Sequence, residues 1–244
     1  MKLAVIPARG GSKRIPRKNI KLFSGKSMIA WSIAAALKSD CFDRVIVSTD
    51  DEEIAEVARR HGAEVPFVRP AALSGDHTST IPVIRHAIEY MSEKGQKPHQ
   101  VCCIYATAPF ISAADICRGL AVLESTACDY AFSTTSYAFP IQRAIRINEQ
   151  GKVGMFLPEY ANTRSQDLEE AYHDAAQFYW GRAEAWTSEK AIFGANSVSV
   201  HIPRYRVQDI DTVEDWVMAE YLFCAMSLER ENAHNLPNRN KNDI

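Results

Sequence analysis

No acidic side chain occurs before Asp40. Neither G-x-x-x-x-G-K-[ST] nor G-x-G-x-x-G is found anywhere, so the two common phosphate-loop fingerprints are excluded. No apolar run approaches 18 residues and no apolar segment of signal-peptide length follows Met1-Lys2, which predicts neither membrane spanning nor secretion. The six cysteines include no C-x-x-C pair, and Cys102 and Cys103 lie inside an apolar run. Zinc-ribbon and thioredoxin motifs are thereby excluded, and the thiols read as free in a reducing cytosol. No histidine has a zinc-spaced partner, no Ser/His/Asp or Cys/His set stands out, and there is no internal repeat.

The 244 residues suit one large α/β unit or one unit with an insertion. Nine of the 28 bases fall within the first 39 positions, leaving 19 against 30 acids, a balance of -11. A basic mouth on an acidic body fits a small anionic ligand better than a long nucleic-acid track. The mouth has a local design. Leu3 to Ile6 reads as a buried strand, and Pro7 ends it for want of an N–H. Gly10-Gly11 then predict a turn with positive φ and a nest of bare N–H groups, ringed by Arg9, Lys13, Arg14, Arg17 and Lys18. This is a phosphate-site candidate; a solvated loop or an RNA-facing patch would look similar.

Further apolar runs predict strands at 44–49, 65–68, 101–105, 130–135, around Phe178-Tyr179-Trp180, and at 197–201. Helices are predicted at 28–37, from Asp51 to a stop at Gly62, at 81–91, from Ser112 or Asp115 to Leu123, and from Val213 to about Leu228. The rhythm implies a mostly parallel sheet covered on both faces, with ligands at the carboxyl ends of its strands. From 136 to 174 the periodicity weakens around two prolines and two glycines, as in a small insertion acting as a dimerisation arm or lid. Residues 1–228 thus form the main unit, and 229–244 a loose polar tail. Asp209 and Asp211, at i and i+2, can share a divalent cation or cap a helix, and Asp211-Thr-Val-Glu214 fits a capping box. Arg69-Pro70 alone reads as a strand exit with a surface arginine.

The opening stretch, Val45-Ile-Val-Ser-Thr-Asp50, Arg69-Pro70 and Asp209-Ile-Asp211-Thr come in the order of the cytidylyltransferases that activate nine-carbon keto acids. The chain resembles that CMP-sialic acid synthetase (acylneuraminate cytidylyltransferase) family over residues 1 to about 228. Tyr105 and Ile111 replace the Gln and Arg of the sialic acid pattern Leu-Gln-Pro-Thr-Ser-Pro-Leu-Arg. His173-Asp174-Ala-Ala-Gln177 replaces Arg-Pro-Asn-Gly. These departures resemble the pseudaminic acid branch.

The resemblance implies a three-layer nucleotide-diphospho-sugar transferase (Rossmann-like) fold with a small dimerisation arm. It implies transfer of CMP from CTP to the sugar's anomeric hydroxyl, with loss of pyrophosphate, ahead of flagellin or polysaccharide glycosylation. Arg9, Gly10, Gly11, Ser12, Lys13 and Asn19 would hold the triphosphate, with Arg9 and Lys18 catalytic. Arg69, Asp76 and Thr80 would surround the cytosine. Tyr105, Gln142, Arg143, His173 and Gln177 would face the sugar, Arg143 offering its carboxylate a guanidinium fork. Asp209 and Asp211 would bind Mg²⁺, or Mn²⁺ in its place. The expected setting is a cytoplasmic homodimer without nucleic acid or membrane. Legionaminic, sialic and 3-deoxy-octulosonic acid enzymes are the neighbouring alternatives, and a non-catalytic nucleotide- or RNA-binding protein is the alternative of another class.

Overall fold

Strands that are apolar on both sides need cover on both faces of their sheet, and the chain alternates its elements accordingly. The computed structural model describes residues 1–235. In order the elements are β1 (Lys2–Pro7), a ribbon of β2 (Leu22–Phe23) and β3 (Lys26–Ser27), α1 (Met28–Ser39), β4 (Arg44–Ser48), α2 (Glu52–Arg60), α3 (Thr80–Glu93), β5 (Gln100–Ile104), α4 (Ala113–Ser125), β6 (Tyr130–Ser136), β7 (Ile145–Ile147), β8 (Val153–Met155), β9 (Tyr172–Arg182), α5 (Ala183–Thr187), β10 (Ser197–His201) and α6 (Val213–Asn235).

The main sheet runs β10-β6-β9-β5-β1-β4. Every neighbouring pair is parallel except the two that β9 makes, so one reversed strand sits inside an otherwise parallel sheet. Side chains alternate across it. Ala4, Ile6, Cys102, Ile104, Phe178 and Trp180 enter the core under α1, α2 and α4. Leu3, Val5, Val101, Cys103 and Tyr179 enter the opposite core, under α3 and α5. Each fully buried Leu, Ile or Val of these layers contributes about 1.5–3 kcal/mol by leaving water. The result is the predicted three-layer α/β architecture.

A third apolar cluster positions the site. Trp216 and Ala219 of α6 pack with Phe23, Phe110, Ile15 of the basic loop and Ile210 of the segment before α6. Two loops far apart in sequence are thus nailed together by buried isoleucines. Because Ile210 points fully inward, its neighbours Asp209 and Asp211 are left facing out.

Three expectations need correction. The run at 65–68 is no strand: it touches β4 only through the isolated bridges Ile46–Glu64 and Thr49–Val68, because Pro66 has no N–H for a ladder. Gly10 and Gly11 do not have positive φ; Arg17, with φ 56°, takes the left-handed position in this loop. Finally, α6 continues through Asn235, so the first part of the expected loose tail is helical, and the rest lies outside the described residues. Among the described residues no helix is long and apolar enough to cross a membrane.

Candidate active site

The strand ends that gather at the carboxyl edge of the sheet open a cleft of about 270 Å³. Its lining brings together Arg9, Ser12, Lys13, Lys18 and Asn19 from the basic loop, Arg69, Thr80 of α3, Tyr105 after β5, and Asp211. The loop is shaped by polar ties as well as by Ile15. The Asn19 Nδ2 donates to the Arg9 carbonyl at 2.9 Å. Arg17 donates to Asp51, the N-cap of α2, at 3.0 Å, so Arg17 anchors the loop and does not face the cleft. The Gly10 N–H is already taken by Asp50 Oδ1 at 3.0 Å, which removes it from the expected nest. Gly10 is required for a different reason: a Cβ there would stand 2.6 Å from Asp51 Oδ2.

Arg9 and Lys13 both donate to the Asp76 carboxylate. The Lys13 and Arg9 hydrogen bonds pull the Asp76 pKa down to about 2. Asp76 therefore stands among the phosphate-type cations, not at the helix cap, where Ser79 sits. Arg69 is buried: it donates to the Ser48 carbonyl at 2.9 Å while its Nε has no partner. Burial lowers its pKa from the ordinary arginine value. A sealed guanidinium with an orphan donor at a cleft wall is poised for an acceptor on a ligand. The Tyr105 hydroxyl lies 3.2 Å from Thr80 Oγ1, and burial raises its pKa.

A second concavity, lined by His173, Asp174, Gln208, Asp209, Asp211 and Asp215, adjoins the first, and Asp211 lines both. The Lys18 ammonium donates to the Ile210 carbonyl at 2.5 Å and approaches Asp211 at 3.4 Å; Arg14 pairs with the other Asp211 oxygen at 2.9 Å. Desolvation, then the neighbouring Asp211 charge, raise the Asp209 pKa, with Lys18 opposing. The capping box here is Thr212 with Asp215. Asp215 accepts from the Thr212 N–H at 2.8 Å, and Thr212 Oγ1 accepts from the Asp215 N–H at 3.2 Å. The predicted Asp211–Glu214 frame is one residue off, and this shift frees the Asp211 carboxylate for the cleft.

His173 lines the second pocket, its Nδ1 lying 2.8 Å from the Asp174 carbonyl. Gln177 is sealed at 3% exposure and lines neither pocket. Gln142 and Arg143 are on the arm, where Gln142 donates to the Glu169 carbonyl at 3.0 Å and Arg143 lines a separate groove with Phe139 and Ile141. Asp174 and Asp215 were missed by sequence reasoning. A Thr-x-x-Asp spacing could have revealed Asp215, whereas Asp174 reaches the pocket through a bulge no local pattern announces.

A basic cleft at the carboxyl edge of a mostly parallel sheet, opening onto a carboxylate pair, defines an α/β nucleotidyltransferase. The cytidylyltransferase family model matches residues 3–229. A pseudaminic acid cytidylyltransferase of Campylobacter jejuni is 46% identical over 221 residues, covering 91% of this chain and 95% of that protein. The CMP-N,N'-diacetyllegionaminic acid synthase of Legionella pneumophila is 31% identical, covering 94% of this chain and 97% of that protein. A CMP:2-keto-3-deoxy-manno-octonic acid synthetase solved with CTP superposes with a TM-score of 0.67 at 18% identity, covering 92% and 99%, which shows the shared fold. The chain belongs to the cytidylyltransferase family and is an enzyme of nucleotidyl transfer.

Proposed function

We propose that this enzyme transfers CMP from CTP to the anomeric hydroxyl of pseudaminic acid and releases pyrophosphate. One observation carries the reading: the basic cleft and the acidic pocket meet at Asp211, so nucleotide phosphates in one face a sugar acid in the other. The 46% identity to a pseudaminic acid cytidylyltransferase supports the choice of sugar.

In this reading Arg9, Ser12, Lys13 and Lys18 hold the triphosphate, and Asn19 keeps their loop in shape. Asp76 is the counter-anion that Arg9 and Lys13 exchange for phosphate. Arg69 presents donors only; cytosine N3 accepts while uracil N3–H donates, so the guanidinium favours cytosine. Thr80 and Tyr105 border the base and sugar, and His173 and Asp174 line the sugar's side. The hydroxyl oxygen attacks the α-phosphorus in line as the bond to the β-phosphate bridge breaks. Lys18 and Arg9 offset charge accumulating on the phosphates. Asp209 or Asp211 accepts the hydroxyl proton.

A divalent cation fits the donor set. Two carboxylates flanking buried Ile210, Asp209 having its pKa raised by desolvation and then by the Asp211 charge, suit Mg²⁺ completed by phosphate oxygens and water. Asp209 and Asp211 would hold it, and it would supply charge neutralisation and acidify the attacking hydroxyl. The free thiols, six among the cysteines, suit the cytosol. The arm's exposed apolar side chains support a homodimer.

The deciding experiment is pyrophosphate release from CTP and Mg²⁺ with pseudaminic, legionaminic, sialic and 3-deoxy-octulosonic acids in parallel. Release with pseudaminic acid alone is expected. Preference for another acid would overturn the sugar assignment, and no release with any would overturn the reaction.

A further inference from the structure

Arg206 belongs to none of the candidate sets, yet three segments that flank the site converge on it. Its guanidinium, mostly buried, pairs with Asp115, whose side chain is only 5% exposed. Asp115 stands in the first turn of α4, where it also accepts from Ser112 Oγ at 2.5 Å and from Arg118 at 3.0 Å. The same guanidinium lies 3.4 Å from the Phe110 carbonyl, at the exit of the segment that carries Tyr105. From the other side, the Arg206 carbonyl accepts from Gln177 Nε2 at 2.6 Å. Asp209 follows three residues later, with Ile210 fixed in the core beyond it.

Gln177 is held in the sheet by a bulge. Ala176 takes a left-handed φ of 50°, and Ser133 Oγ accepts from the Gln177 and Phe178 N–H groups at 3.2 Å each. The amide that resembled a sugar contact therefore reaches the main chain of the carboxylate loop. Its donor end must face the carbonyl, since the opposite orientation would oppose two acceptors.

We propose that Arg206 is the positioning residue of the carboxylate pair, clamped through its side chain by Asp115 and through its carbonyl by Gln177. Gln177 then serves the loop and not the sugar. The inference rests on the reading that Asp209 and Asp211 hold the divalent cation. Side chains that brace metal ligands typically cost about 10- to 100-fold in metal affinity when removed. Arg9, Ser12 and Lys13 sit on another loop with its own ties from Asn19 and Arg17, and that loop meets the carboxylate segment through Lys18 and Arg14, so CTP binding without metal should respond to this clamp less than Mn²⁺ binding does.

The test measures Mn²⁺ binding to the enzyme–CTP complex by proton relaxation, with no sugar acid and no turnover, alongside CTP binding without metal. Arg206→Ala is expected to weaken Mn²⁺ on the order of 10-fold with a distinctly smaller change in metal-free CTP affinity, and Arg206→Lys to recover part of the loss. In an Asp209→Asn background Arg206→Ala should add nothing further, because both act on one ligand set. Should Arg206→Ala not fold, Asp115→Asn and Gln177→Leu each open one side of the clamp and should weaken Mn²⁺ in the same way. Normal Mn²⁺ binding in these variants, with binding lost in Asp209→Asn, would overturn the inference. So would a Gln177→Leu enzyme altered only in its KM for the sugar acid. If Asp209→Asn itself binds Mn²⁺ normally, the carboxylate reading falls and takes the clamp with it.

Discussion

One carboxylate, Asp76, holds both Arg9 and Lys13. On the proposed function these are the triphosphate's cations, and CTP would displace Asp76 from them. Asp76→Asn keeps the shape and removes the competing charge. Exposed, solvent-screened pairs of this kind are weak, so CTP affinity should rise only about 2- to 5-fold, most at low salt. A CTP titration at two ionic strengths checks this; weaker binding would make Asp76 a direct nucleotide contact. Arg69→Met keeps the buried stem and removes the donors. The CTP:UTP ratio of kcat/KM should fall on the order of 10-fold, and an unchanged ratio would move base recognition elsewhere. At this scale the sequence was legible where chemistry is local: Arg9, Lys13, Lys18 and Asp211 do share one cleft, whereas Arg69, which in its own segment reads as a surface arginine, is buried at the cleft wall, where only the resemblance placed it. It was ambiguous where two frames overlapped. Asp211-x-x-Glu214 and Thr212-x-x-Asp215 both fit a capping box, and the hydrogen bonds form in the second.

Elements announced themselves when burial was two-sided and continuous. β1, β4, β5 and β6 read directly as apolar runs, and α6 showed its core face through Trp216, Ala219, Leu222 and Phe223. Direction is not a local property, so nothing in the residues 172–182 marked β9 as the reversed strand. The bulge at Ala176 also breaks its alternation, which hid His173 to Gln177 from a period-two reading. Helix packing makes one sharp prediction. α4 crosses β9 so closely at Gly119 that a Cβ would stand 2.6 Å from the Phe178 ring and 2.8 Å from Trp180. Gly→Ala in a helix ordinarily stabilises by about 0.5–1 kcal/mol. Gly119→Ala should instead destabilise by about 1–3 kcal/mol, because buried aromatic rings cannot step aside. Urea unfolding should show a lower midpoint at constant slope, and a raised midpoint would mean the contact yields easily.

Across the whole molecule, ion pairs join elements remote in sequence, and their carboxylates set the acid limit. The Arg17 hydrogen bond lowers the Asp51 pKa, that of Lys190 lowers Asp129, and those of Lys13 and Arg9 lower Asp76 to about 2. A depressed folded pKa stabilises fully above the unfolded value, about 3.9 for Asp, and that share is lost as pH falls toward the folded value. The melting temperature should therefore be insensitive to these groups above about pH 5 and fall between about pH 4 and 2, and Asp51→Asn should flatten part of that fall. The insertion carries the last prediction. Its irregularity was legible, but the purpose of that irregularity was not, since β7 and β8 pair only with each other and bury little. Phe139 is 82% exposed, Ile147 68% and Phe156 60%, on a segment with no core of its own. Apolar exposure on one segment suits the proposed self-association, and a stable interface needs about 800 Å² from each partner. Phe139→Glu with Ile147→Glu should leave the sheet untouched and convert a dimer of the 27.3 kDa chain to monomers in light scattering, with CTP binding retained. A wild-type chain that is monomeric at every concentration, or a double variant that stays dimeric, would end the assignment of the arm to self-association.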